Sequence, residues 1–220
     1  EEFAPVIALL IVVLTMLFSA ISFGCCIMYA VRFYKNLFTD EGYITWTLPA
    51  SPLTQLWAKI LSASIWYVLD LTICFAAAWF LISGDNIQSA LERIKPDFQA
   101  ALGMSFSSFC GLVVFFSFVG ILSCVLFIYT SIAIGQLVPA HRIIVSIAVY
   151  FILNLITQII SIGVSIITSV FPDYVFSPAQ TSFSEYFFQM LLIGTCTTTV
   201  LAIAGYFITY RILQRKVNLI

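Results

Sequence analysis

The sequence predicts an all-α fold, a polytopic transmembrane helical bundle with five spans visible, and three observations carry that prediction. The first is composition: of 220 residues, 62% are hydrophobic and 9% charged, with a mean hydropathy of +1.09. A soluble domain is about 45 to 50% apolar and about 25% charged, so a water-soluble globule is excluded. The second is block length. The apolar residues fall into five stretches, each longer than the roughly 20 residues that cross a bilayer as a helix. Outer-membrane barrel strands would alternate over roughly 10 residues instead. The third is charge placement, since seven of the nine basic residues cluster at three places, between the spans or close to their ends. The formal net charge of −1 also removes the basic surface that nucleic-acid binding requires.

The first span is expected over residues 3–31, ending where Arg32 and Lys35 begin a polar stretch. The segment 32–51 is too aromatic for a flexible linker and too polar to cross a bilayer. Either a short helix at the membrane surface covered by a partner, or an interfacial loop anchored by its aromatics, accounts for it. Thr39 or Asp40 can cap a helical turn there, and Gly42 allows close backbone approach. The second span covers 52–82. Ser51 followed by Pro52 pairs an N-cap residue with proline at the first helical position, and Trp57 and Trp79 stand near opposite ends, at interfacial depth.

Asp70 lies near the middle of this second span, where a charge costs about 2.5 to 3.5 kcal/mol on insertion scales. It is therefore expected to face the bundle interior, either as a group on a substrate path or as a neutral carboxyl bonded to a serine or asparagine of a neighbouring helix. Between the second and third spans, Ile87, Leu91, Ile94, Phe98 and Leu102 recur at helical spacing, with Pro96 interrupting. That pattern predicts an amphipathic helix over 86–102 lying on the outer leaflet.

The third span is expected over 105–138, closed by Pro139, which confines Ala140, His141 and Arg142 to a tight turn. Ser117, Gly120 and Cys124, and then Ser131 and Gly135, form small-residue seams along it. The fourth span, 143–170, carries Tyr150, Asn154, Gln158, Ser161, Ser165 and Thr168 at steps of four and three. Such a stripe packs against other helices or lines a cavity, because amides facing lipid are costly. Residues 171–188 hold Pro172, Pro178 and many aromatics, and the fifth span, 187–210, has a seam of Gly194, Thr198, Ala202 and Gly205. Either seam-bearing span can supply an interface with a second subunit.

The segments 32–59, 139–142 and 211–220 hold Arg32, Lys35, Lys59, Arg142, Arg211, Arg215 and Lys216, which the positive-inside rule places in the cytoplasm. The C-terminus is then cytoplasmic and Glu1 outside. A chain that enters its first span after two residues has no evident means of placing that end outside, so at least one preceding helix is expected, for six in the complete protein. The six cysteines all fall within spans, none with zinc or iron–sulfur spacing, and read as small apolar packers, with no metal site expected. The lone His141 beside Arg142 reads as a headgroup or partner contact.

The run from Tyr34 to Pro49, above all Asp40-Glu-Gly-Tyr-Ile-Thr-Trp-Thr-Leu-Pro, resembles the cytoplasmic loop of ATP-binding-cassette exporter permeases of the second type, in particular small ones from Gram-positive bacteria. Ile134-Gly-Gln-Leu before His141-Arg142, and the ending Tyr210-Arg-Ile-Leu-Gln-Arg-Lys-Val-Asn-Leu, are similar too. The resemblance covers the whole chain, 1–220, as one permease domain of the plasma membrane. It implies six spans with both termini cytoplasmic, a re-entrant external element before the last helix, and a coupling helix from Asn36 to about Leu48. Asp40, Glu41, Gly42, Tyr43, Thr45 and Trp46 would then contact a separate ATPase subunit. Asp70, Asn154 and Gln158 are the candidates for a translocation path.

The chain lacks Gly-x-x-x-x-Gly-Lys-[Ser/Thr], so no catalytic residue and no cofactor of its own are expected. ATP and magnesium would belong to a partner pair of ATPase subunits, working with a second permease subunit among membrane lipids. By the resemblance, the cargo is an amphiphile such as an antimicrobial peptide, lipid or drug. The alternative is a non-transporting membrane sensor or immunity subunit that binds a peptide and acts through a partner. An ion-conducting bundle lacks support, since no ring of charges or filter-like glycine run is present.

Overall fold

The structure, a computed structural model, describes residues 4–47, 49–170 and 183–215. Among the described residues there are seven α-helices: α1 (Ala4–Phe38), α2 (Asp40–Thr47), α3 (Pro52–Ile82), α4 (Asp85–Leu102), α5 (Phe106–Gly135), α6 (Arg142–Ile167) and α7 (Phe183–Arg215). Five of them, α1, α3, α5, α6 and α7, are long and apolar enough to cross a membrane. The chain is a polytopic all-α bundle. Residues 171–182, which include most of the segment expected to be re-entrant, lie outside the described residues.

Most span limits agree with the hydropathy blocks to within a few residues, and the local signals explain where helices begin. Ser51 Oγ accepts from the Thr54 amide at 3.2 Å, which starts α3, and Ser105 Oγ accepts from the Ser108 amide at 3.2 Å, which starts α5. The third span ends at Gly135, ahead of Pro139, so the turn covers residues 136–141, with His141 at a φ of 60°, and Arg142 opens α6 instead of lying within the turn. Pro96 does not interrupt α4, which runs through it from Asp85 to Leu102. Proline there removes one amide and leaves the Glu92 carbonyl without its helical donor. Glu92 and Pro96 are both exposed, where polar surroundings can satisfy that oxygen.

The largest departure concerns α1, which was expected to end at residue 31 and instead continues to Phe38. Hydropathy falls at Arg32 and Lys35, but both residue types are good helix formers, so the charges do not end the helix. At 35 residues, α1 is about 52 Å long, against a hydrocarbon core of about 30 Å. It therefore tilts or projects beyond the apolar layer.

The ends of α1, α3, α5 and α7 that bear Arg32, Lys35, Lys59 and Arg211 share one aromatic and aliphatic core. Phe33, Leu37 and Phe38 of α1, Leu56 and Ile60 of α3, Val125, Tyr129 and Ile132 of α5 and Leu213 of α7 are all buried in it. The Phe33 and Tyr129 rings stack at 3.8 Å and 10°, and Tyr129 Oη donates to the Lys59 carbonyl at 3.1 Å. One side chain thus joins three helices. By contrast Val12, Met16 and Phe23 on α1 and Trp79 and Phe80 on α3 are exposed, as lipid-facing residues must be.

The seam on α7 is used inside the chain. Ala202 is buried, and a Cβ placed on Gly205 would stand 2.6 Å from Thr130 Oγ1 of α5. The hydroxyl oxygens of Thr209 and Thr130 lie 3.2 Å apart at the same crossing. Gly135 is likewise closed in by Ser146 of α6, whereas Gly120 has no neighbour within 4 Å. Gly205→Ala is expected to destabilise the protein in detergent by about 1 to 3 kcal/mol through overpacking. Gly120→Ala should leave its melting temperature unchanged or slightly higher. Equal melting temperatures for the two variants would contradict this packing.

Candidate coupling helix and intramembrane polar cluster

The short α2 is built from weak local signals and held by tertiary ones. Asp40 and Glu41 occupy its first turn, where negative charge complements the helix dipole. Eight residues nevertheless fall far below the roughly 12 to 15 that make an isolated helix marginal in water. Three contacts supply the difference. Thr39 separates α2 from α1 without a long loop, its hydroxyl donating to the Lys35 carbonyl (2.7 Å) and its own carbonyl accepting from the Gly42 amide (2.7 Å). Gln55, buried in the first turn of α3, donates from Nε2 to the Thr45 carbonyl at 2.8 Å. Asn36 of α1, with its amide oriented by its neighbours, donates to Glu41 Oε2 (3.1 Å) and accepts from Lys59 Nζ (2.8 Å).

These tethers sort the residues expected to touch a partner. Gly42 is buried beneath the helix, and Thr45 is half-buried with its carbonyl committed to Gln55. Glu41 is exposed but reaches back toward Asn36, while Asp40 faces outward. Tyr43 stands 52% exposed and Ile44 72% exposed, forming the apolar outer surface of α2. The Trp46 side chain lies outside the described residues. Ile44 and Gln55 were not singled out from the sequence. An isolated isoleucine in an aromatic loop carries no pattern, and Gln55 signals nothing until α2 is placed beside it.

Asp70 is half-buried and accepts a hydrogen bond from Ser22 Oγ of α1 at 3.1 Å. One helical turn nearer the cation-bearing end, Cys26 Sγ and Tyr67 Oη share a hydrogen bond of 3.4 Å. The Tyr67 ring lies 5.6 Å from that of Tyr29. Cys124 of α5 and Tyr150 of α6 pack against the same core. Two polar pairs between α1 and α3 thus lie beside the core to which α5 and α6 contribute.

The α6 stripe joins this cluster only in part. Asn154 is half-buried and donates to the Tyr150 carbonyl at 2.8 Å, and Ser165 is buried, donating to the Ile162 carbonyl at 2.8 Å. Gln158 is exposed, whereas Thr157 beside it is buried and lines a small apolar cavity of about 90 Å³ among α5, α6 and α7. Steps of four residues advance by about 40° each, so a run of such steps leaves the face on which it began. The structure therefore does not bring Gln158 to Asp70. No family model, curated protein or solved structure matches the chain.

Gln55→Ala removes the single side-chain tether between α3 and the Thr45 carbonyl, a hydrogen bond worth about 1 kcal/mol. Backbone amides of residues 40–47 are expected to exchange with deuterium roughly fivefold faster, while those of α5 remain unchanged. Equal exchange in α2 would show that Gln55 does not hold it.

Proposed function

We propose that the chain is the membrane-spanning permease subunit of an ATP-driven exporter, with α2 as the element that couples it to a separate ATPase. The observation that carries this reading is the pairing of Tyr43 and Ile44 on the outer side of a helix whose inner side is tied to two spans. Exposed apolar residues on an eight-residue helix make sense when a partner covers them, and tyrosine buries much area at little entropic cost.

The mechanical consequence follows from the connections. Force applied to α2 passes to α1 through Thr39 and to α3 through Gln55. The shared core at that end moves α1, α3 and α5 together, so closure of the ATPase sites would tilt the spans and change access between their outer halves. The seam on α7 is consumed within the chain, which leaves the uncovered Gly120 side of α5 as a more suitable face for a second permease subunit. Asp70 and Ser22 lie along the spans that would move, on a path fit for an amphiphilic cargo with a polar group.

The test uses the full chain assembled with its ATPase subunits in lipid. Replacing Tyr43 and Ile44 together with alanine should lower cargo-stimulated ATP hydrolysis by about tenfold or more, as loss of a hot-spot pair does. Asp70→Asn should preserve assembly and reduce export without abolishing basal hydrolysis. Unchanged coupling in the Tyr43 and Ile44 double variant would overturn the assignment of α2, and unchanged export in Asp70→Asn would make that residue structural.

A further inference from the structure

Beneath α2, facing surfaces of α1 and α3 border a partly open cavity of about 340 Å³, within the range of roughly 300 to 1,000 Å³ typical of small-molecule sites. Three cations line it, Arg32 and Lys35 from α1 and Lys59 from α3, against one acid, Glu41. Asn36 bridges Glu41 to the Lys59 ammonium and so fixes that ammonium in place, leaving its other two N–H groups as donors. Tyr129 closes the back and holds the α3 backbone at Lys59.

We propose that this cavity binds the phosphate headgroup of an anionic phospholipid from the leaflet on the cation-bearing side. The charge balance, three positive against one negative, selects an anion, and paired cations with fixed donors suit a phosphate. The position selects a lipid. Trp66, 49% exposed, forms one wall and lies seven residues along α3 from Lys59, about 10 Å deeper into the spans. That offset matches a phosphate at the rim with its glycerol and upper acyl chain against the indole. Leu61 and Ile65, exposed on the neighbouring face of α3, continue the apolar surface outward. A free anion would have no use for such a wall. The proposal depends on membrane residence alone and stands apart from the transporter reading.

Native mass spectrometry of the full chain in detergent, titrated separately with phosphatidylglycerol, phosphatidylcholine and inorganic phosphate, tests it. Phosphatidylglycerol is expected to bind about tenfold more tightly than phosphatidylcholine, and the double substitution Arg32→Gln and Lys59→Gln should erase that difference. Glu41→Gln should raise phosphatidylglycerol affinity severalfold, a gain that a misfolded variant cannot produce. Arg93→Gln on α4 should change nothing. Equal binding by wild type and the double variant, or no gain in Glu41→Gln, would overturn the site. Displacement of phosphatidylglycerol by inorganic phosphate would overturn the lipid and assign the cavity to a free anion.

Discussion

Tyr129 is the residue on which the arrangement of the cation-bearing end depends. Its ring stacks on Phe33 of α1, its hydroxyl bonds the α3 backbone at Lys59, and its own helix, α5, packs most extensively against α6 and α7. Aromatic pairs contribute about 0.5 to 1.5 kcal/mol beyond area burial, and a hydrogen bond within a membrane protein about 0.6. Neither figure is large. Their importance is positional, because between lipid-immersed helices apolar burial gives little preference for one neighbour over another, and specific packing must set the register. With α1 and α3 fixed by Tyr129, the ends that carry α2 and the cationic cavity are fixed too.

The same logic separates the two halves of the bundle. At the cation-bearing end, aromatic and aliphatic side chains interlock in one core, and Gly135 and Gly205 allow backbones to approach closely. Toward the opposite end, contacts thin out, Gly24 and Gly120 have open space beside them, and large apolar residues of α1 and α3 face outward. Where α4 returns to the bundle, Phe98 meets Phe106 and Phe109 at 5.6 and 5.2 Å, the chief aromatic tie there. A firm base with loosely joined outer halves is a geometry in which small rotations at the base become larger displacements beyond it.

Much of this was legible in the sequence, for reasons that differ by element. Span number and most limits followed from apolar block length, the start of α3 from Ser51 and Pro52, and α4 from its spacing of Ile94, Phe98 and Leu102. The continuation of α1 to Phe38 was not legible, because hydropathy reports the solvent a segment prefers and not whether its backbone stays helical. The helix at 40–47 lies in the aromatic segment read as a surface helix or an interfacial loop, but its sides were not legible: Glu41 turns inward to Asn36 while Ile44 turns outward, a distinction set by the tether at Gln55. Asp70 had been assigned the bundle interior, and its partner proved to be Ser22, 48 residues away, a pairing that only the crossing of α1 and α3 defines.

The central claim is that the outer face of α2 is covered by an ATPase subunit. A photoreactive amino acid in place of Ile44, activated in native membranes with the full chain present, tests this most directly, with a second at Leu61 on the lipid-facing side of α3 as comparison. The account predicts that position 44 crosslinks to a polypeptide carrying the Gly-x-x-x-x-Gly-Lys-[Ser/Thr] nucleotide motif and that position 61 crosslinks to lipid. Crosslinking of position 44 to lipid alone would contradict it.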